Sequence, residues 1–132
     1  TAVLHGKTQP GPVTAVLSGA RPRSLVEKDP TRYCSLDGRP GDLGSKAPPG
    51  LIPLISDKWS NHFKWRGHGP FPPEERQYLE DLVGRTQNEG RLLRFWAVPD
   101  RVEAWKVLRD EGVDLINTDR LKELALFLRS PE

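Results

Sequence analysis

RLLRFWAVPDRVEAWKVLRDEGVDLINTD, residues Arg91–Asp119, is the stretch on which the fold class turns. It begins with Arg91–Val98, a run rich in apolar and aromatic side chains and short enough to be a buried strand. Pro99-Asp100 interrupts the run. A helix follows in which Val102, Trp105 and Leu108 share one face, with Gly112 placed to stop it. Val113–Asn117 is then a second short apolar strand. Strand, helix and strand joined by loops of about 2–4 residues are the sequence form of parallel βαβ packing.

The same alternation extends outward on both sides. Upstream, a helix opens at Pro72-Pro73, where proline suits the first turn and Glu74 and Glu75 suit the positive end of the helix dipole. Tyr78, Leu79, Leu82 and Val83 form its apolar stripe, and Gly90 ends it. Downstream, Thr118 or Asp119 is expected to cap a third helix whose buried stripe is Leu121, Leu124, Ala125 and Leu128. Residues 74–132 therefore read as a regular αβαβα run.

Residues 1–73 have another character, holding 11 of the 13 prolines and nine of the 12 glycines. Proline lacks an N–H and disfavours helix in the residue before it, so only short extended segments between loops fit there. The candidate strands are Val13–Leu17, Tyr33–Leu36 and Leu51–Ile55, with a loop over Asp37–Gly50. Five strands alternating with helices make an α/β fold, either an open doubly wound sheet or part of a closed barrel. Neither a glycine-rich dinucleotide fingerprint nor a Walker loop occurs, which weakens the nucleotide-binding open sheets. A complete (β/α)8 barrel takes about 250 residues. With 132 residues, a barrel reading makes this chain about five β/α units of one.

Composition narrows the function classes. The 20 basic and 18 acidic residues are interspersed and leave a charge of only +2, which gives no electrostatic case for nucleic acid. No apolar run approaches the roughly 18 residues of a membrane helix. The single cysteine, Cys34, allows no internal disulfide and reads as buried and inert. With three scattered histidines it makes no zinc site. His5, His62 and His68 stand at no nucleophile–base or metal spacing and receive no role. The absence of methionine points to a processed chain or a portion of a longer one.

Ligands of parallel α/β sheets sit at the C-terminal ends of the strands. Alternation along RLLRFWAV puts Arg94, Trp96 and Val98 on one face. A mid-strand arginine is costly there unless it meets an anion. Arg94 either holds a phosphate through its planar fork, with Trp96 walling the same pocket, or makes a structural ion pair with Asp37, Asp57 or Asp114. Asn117 and Asp119 either line a site or serve the helix that follows. Asp37 and Asp57 are acid/base or ligand groups, or turn formers. The segment Trp59–His68, WSNHFKWRGH, interleaves rings with basic groups and either lays a head group, sugar or nucleotide against its rings or packs over the end of the sheet.

LLRFWAVPD (Leu92–Asp100) followed by GVDLINTDRL (Gly112–Leu121) resembles the last two strands of the glycerophosphodiester phosphodiesterase and phosphatidylinositol-specific phospholipase C-like superfamily. With SGARP (Ser18–Pro22), SLDGRPGDL (Ser35–Leu43) and PLISDKW (Pro53–Trp59), the pattern is similar to the branch that includes the altered-inheritance-of-mitochondria-6 proteins. The resemblance implies a (β/α)8 barrel that hydrolyses phosphodiesters with a pair of acid/base histidines and a divalent metal, calcium or magnesium. It places that machinery in the first half of the barrel. No matching His-Arg-Gly segment occurs here, so the catalytic groups are expected upstream of Thr1 and no metal is expected on this chain alone. Trp96 matches a pocket tryptophan, Arg94 a pocket position and Asp119 the aspartate of a closing Thr-Asp motif. Asn117 and Arg120-Leu121 depart from the superfamily's apolar residue and proline-containing continuation, which leaves the substrate class open.

The expectation is thus the C-terminal part of a phospholipase C-like TIM barrel whose complete form cleaves a phosphodiester small molecule or lipid head group. Arg94, Trp96, Asn117, Asp119 and Asp57 are the candidate substrate-binding residues. The isolated chain is expected to be inactive and to self-associate. A non-catalytic module for an anionic or phosphorylated ligand is the alternative.

Overall fold

The computed structural model describes residues 1–131. Its N-terminal part holds an element with no counterpart in the sequence reading. β1 (Ala2–Leu4) and β2 (Lys7–Gln9) form an antiparallel hairpin. His5 and Gly6 turn it at φ 48° and 79°, the positive values that match a two-residue turn to the twist of its strands. After β3 (Val16–Leu17) and the short helix α1 (Arg23–Lys28), β4 (Thr31–Arg32) returns to the other side of β1. Histidine is not a residue whose presence announces such a turn, so the hairpin left little trace in the sequence.

The remaining strands form one parallel sheet. They are β5 (Ser35–Gly38), β6 (Leu54–Lys58), β7 (Leu92–Trp96) and β8 (Leu115–Ile116), and the order is β3-β5-β6-β7-β8. Three expected strands shift C-terminally. Val13–Leu17 narrows to Val16–Leu17, Tyr33–Leu36 becomes Ser35–Gly38, and Leu51–Ile55 becomes Leu54–Lys58. Pro53 explains the last shift. Having no N–H to give a ladder, it stands just before the strand and accepts the Leu92 N–H on its carbonyl at 2.8 Å. Leu51 and Ile52 still enter the core, from the turn that precedes the strand.

The regular half follows its pattern closely. α2 (Pro73–Asn88) carries Glu74 and Glu75 in its first turn, and Gly90 at φ 73° leads the chain out. α3 (Val102–Asp110) ends before Gly112 at φ 80°, and α4 (Leu121–Arg129) closes the described chain. These helices cover one face of the sheet. Leu36, Ile55, Leu93 and Phe95 on that face join Leu79, Leu82, Ala104 and Leu108 in one core, the burial of each Leu, Ile or Phe side chain worth about 1.5–3 kcal/mol. The Trp59–His68 segment adds to it. Trp59 and Phe63 stack with ring centroids 3.9 Å apart, and Phe95 meets both edge-on.

The α4 stripe departs from expectation. Leu124 is buried, but Leu121 and Leu128 are exposed, because no described element packs on that side of the helix. The sheet's other face is also open. Alternation and register place Leu54, Ser56 and Lys58 of β6 beside Leu92, Arg94 and Trp96 of β7 and Leu115 of β8. Leu92, Trp96 and Leu115 are 46%, 38% and 43% exposed. Parallel sheets are ordinarily covered on both faces. No helix among the described residues is long and apolar enough to cross a membrane.

Candidate functional site

Asp37, near the end of β5 on the open face, gathers Ser18 after β3, Arg39 after β5 and Ser56 of β6. Its side chain is 2% exposed in residue terms and fully engaged. Ser18 Oγ donates to Oδ2 at 2.8 Å, Ser56 Oγ donates to Oδ1 at 2.5 Å, and Arg39 Nη1 lies 3.1 Å from Oδ2. Arg21 Nη1 donates to the Asp37 carbonyl. Burial pushes the carboxyl upward, but the bonds from Ser56, Ser18 and Arg39 and the charge of Arg39 outweigh it and hold Asp37 below the ordinary carboxylate value. Asp37 is therefore a buried anion that fixes its neighbours.

Arg94 lies beside this cluster, the register partner of Ser56. None of its nitrogens meets a hydrogen-bond or ion-pair partner among the described residues, and Nε is sealed from solvent. The structural ion pair expected as one reading of Arg94 does not form. Asp37 is taken by Arg39, Asp57 by His62, and Asp114 accepts the Leu93 N–H at 2.8 Å. Trp96 extends the same face two residues on, with Lys58 Nζ 5.8 Å from its ring centroid.

Asp57 is not brought to that face. It shares the helix-covered side with Phe95, and its Oδ2 lies 2.8 Å from His62 Nε2. Its Oδ1 accepts the Lys58 N–H at 2.8 Å and the Asn61 side chain at 3.0 Å. His62 Nδ1 in turn lies 2.8 Å from the Tyr78 hydroxyl. With Nε2 carrying the proton given to Asp57, a neutral His62 accepts the Tyr78 O–H. Desolvation opposes ionisation of Asp57, yet the bonds from His62, Lys58 and Asn61 hold its carboxyl below the usual range. Sequence reading assigned His62 nothing because Tyr78 lies 16 residues away on another element.

Within Trp59–His68 the packing alternative is the one realised: Trp59, Phe63 and Trp65 are buried. Trp59 Nε1 donates to the Trp65 carbonyl at 3.0 Å, and Glu75 of α2 accepts the Lys64 N–H at 2.8 Å. Cys34 is only partly buried and lies between β4 and β5 rather than within a strand.

Asn117 and Asp119 sit together at the end of β8, on a cavity of about 80 Å³ shared with Ala97, Val98, Asp100 and Thr118. Asp100 organises this corner. Its Oδ1 accepts from Thr118 Oγ1 at 2.6 Å and Trp105 Nε1 at 3.1 Å, and its Oδ2 accepts the Asp119 N–H at 2.9 Å. The expected cap is corrected accordingly. The N-cap of α4 is Arg120, without a side-chain bond, while Thr118 Oγ1 accepts the Arg120 N–H at 2.8 Å. Thr118 Oγ1 accepts at the residue ahead of the helix and so caps no amide of its first turn. Ala97, at φ 53°, turns the chain out of β7 in the left-handed region that alanine seldom enters.

Among the described residues no group of three or more His, Cys, Asp or Glu side chains stands close enough to hold a metal ion. Asp37, Asp57 and Asp100 spend their oxygens on donors within the chain. These residues do not fit a divalent-cation centre. What they do offer is an unpartnered guanidinium and an exposed indole at the mouth of an uncovered sheet.

No protein-family model matches the chain, and no solved structure matches it. It is similar to the altered inheritance of mitochondria protein 6 homolog of the fungus Arthroderma benhamiae, with 29% identity over 122 residues, covering 83% of this chain. That alignment takes in 37% of the relative, so the chain spans little more than a third of the relative's length. The relative's name states neither substrate nor reaction. Sequence and structure together describe a mixed α/β chain with a five-stranded parallel sheet, distantly related to a protein of that name.

Proposed function

We propose that this chain is the closing part of a phospholipase C-like (β/α)8 barrel, and that its open sheet face is the inner wall on which a phosphodiester is held for metal-assisted hydrolysis. The observation that carries the reading is Arg94: an arginine in mid-strand on an uncovered face, with a sealed Nε and no partner among the described residues. Such a group costs stability unless an anion meets it, and a phosphate oxygen is the anion its planar fork suits.

Three further features support it. The open face is apolar at Leu92 and Leu115, as the packed interior of a barrel is, and polar at Asp37 of β5 and Ser56 of β6. Leu121 and Leu128 of α4, beyond the last strand, present an apolar stripe suited to a helix from the other end of a closed barrel. The motif resemblance and the distant relative agree on the branch.

In this reading Arg94 binds a non-bridging oxygen of the diester and Trp96 lines the body of the substrate. The acid/base histidines and the ligands of calcium or magnesium belong to upstream strands. The test is to express the longer protein encoded in frame ahead of Thr1 and assay it on glycerophosphocholine with added calcium or magnesium. Hydrolysis is expected, with kcat/KM lowered about ten- to a hundredfold in Arg94→Ala. Absence of hydrolysis by a folded longer protein would leave a binding module for an anionic ligand as the surviving reading.

A further inference from the structure

Arg94 does not stand alone on the open face. Arg39, at the end of β5, directs three contacts through a single nitrogen: Nη1 reaches the Gly38 carbonyl at 2.9 Å, Asp37 Oδ2 at 3.1 Å and Ser56 Oγ at 3.4 Å. Its Nε and Nη2 meet no partner among the described residues and remain open to solvent. The backbone beneath it is also fixed, because the Arg39 N–H donates to Asp42 Oδ2 at 2.8 Å. Ser56 is therefore flanked on both sides. One guanidinium approaches from β5 through its side chain, and the other rises from the register partner on β7.

The charge count on this face is unbalanced. Arg21 and Arg39 contact Asp37, Lys58 and Arg94 stand on the same sheet face, and the carboxylates beside Arg39 are Asp37 and Asp42, both already holding donors. Asp37 already takes three donors and makes no bond to Arg94, and Asp57 and Asp114 are engaged elsewhere. Arg39 and Arg94, each with donors that meet no partner among the described residues, thus belong to one sheet face and share Ser56 as a neighbour.

Resting on the phosphodiesterase reading of this face, we propose that Arg39 and Arg94 form a two-arginine clamp for one phosphoryl group, each taking a different non-bridging oxygen, and that Asp37 is the positioning residue that aims Arg39. Arg39 is a binding residue here that no sequence motif distinguished. Its recognition chemistry is that of a tetrahedral phosphate oxyanion, shared by a head-group diester and by free phosphate. A lysine at either place keeps the charge but loses the fork.

The clamp is tested by titrating the chain with glycerophosphocholine and, separately, with inorganic phosphate, following the Nε–H NMR resonances of Arg39 and Arg94. Circular dichroism confirms the fold of each variant. Both resonances are expected to move together. Arg39→Ala and Arg94→Ala should each weaken binding about ten- to a hundredfold, and the Lys variants should recover little of it. Asp37→Asn removes one negative charge from the face, so simple charge attraction would tighten binding; a positioning role weakens it. A stronger effect with the diester assigns a head-group site, and a stronger effect with phosphate assigns a free-anion site. Either one supports the clamp. If folded wild-type chain binds neither probe, or if Arg39→Ala binds as wild type while Arg94→Ala does not, the clamp is overturned. Hydrolysis by the longer protein is read independently, so a working clamp on an inactive protein overturns the phosphodiesterase reading alone.

Discussion

Arg91 and Arg94 lie three residues apart around β7, on opposite faces, and only one of them is satisfied by the fold. Arg91 is 3% exposed; its Nη1 and Nη2 donate to the carbonyls of Ile52 and Ala47 at 2.6 and 2.5 Å, and its Nε pairs with Glu89 at 3.1 Å. Arg94 has no partner among the described residues. Arg91→Met, which orphans two buried carbonyls, is expected to destabilise the chain by about 2–4 kcal/mol. Arg94→Met should change stability by less than about 1 kcal/mol in either direction, because it removes an unmet donor. Urea denaturation of both variants decides this; equal losses would show that Arg94 has a structural partner.

Acid stability follows from the carboxylates. Asp37, Asp57 and Asp100 are each opposed by burial, yet all three are held below the ordinary value by donors, from Ser56, His62 and Thr118 among others. A carboxyl whose folded pKa lies below its unfolded value of about 3.9 binds protons more tightly when unfolded. Its contribution is complete above that value and is lost as pH falls through the folded pKa. The chain should therefore lose stability steeply below about pH 4, with the slope reduced in Asp57→Asn. An unchanged slope in that variant would remove Asp57 from the account.

At Ala97 the backbone holds φ at 53°. The left-handed region costs a non-glycine residue roughly 1–2 kcal/mol, part of which glycine returns as unfolded-state entropy. Ala97→Gly is expected to raise the thermal midpoint, equivalent to about 0.5–1 kcal/mol, and Ala97→Val to lower it. A lower midpoint for the glycine variant would contradict the strain.

The uncovered face predicts association. Leu92, Trp96 and Leu115 present apolar surface where a parallel sheet is normally covered, and Leu121 and Leu128 add a second patch on α4. The chain should elute from size exclusion as an oligomer, and Leu92→Lys with Leu115→Lys should shift it toward monomer. A sharp monomeric peak for the unmodified chain would count against the idea.

Sequence legibility divides at Pro73. Beyond it, helix stripes and glycine stops are local signals, and α2, α3 and α4 fall where periodicity places them. Before it, proline obscures the periodicity, and the β1–β2 hairpin depends on two positive-φ residues of which only one is glycine. In the site, Arg94 and Trp96 were legible through alternation along one strand. Arg39 and the pair His62 and Tyr78 were not, because their meaning lies in partners that only sheet register and helix packing bring near.

The sheet is not uniform from edge to edge. β6 and β7 are five residues each and pair along their whole length, whereas β3 and β8 contribute two residues apiece. Backbone amides of the central pair are shut in by neighbours on both sides and by α2, and those at the margins are not. Opening free energies should therefore fall outward from Ile55 and Leu93, so that hydrogen exchange slows to its limit there and the margins exchange through local fraying. The β6–α2–β7 hand-over is then expected to behave as the chain's cooperative unit, with the outer strands opening first.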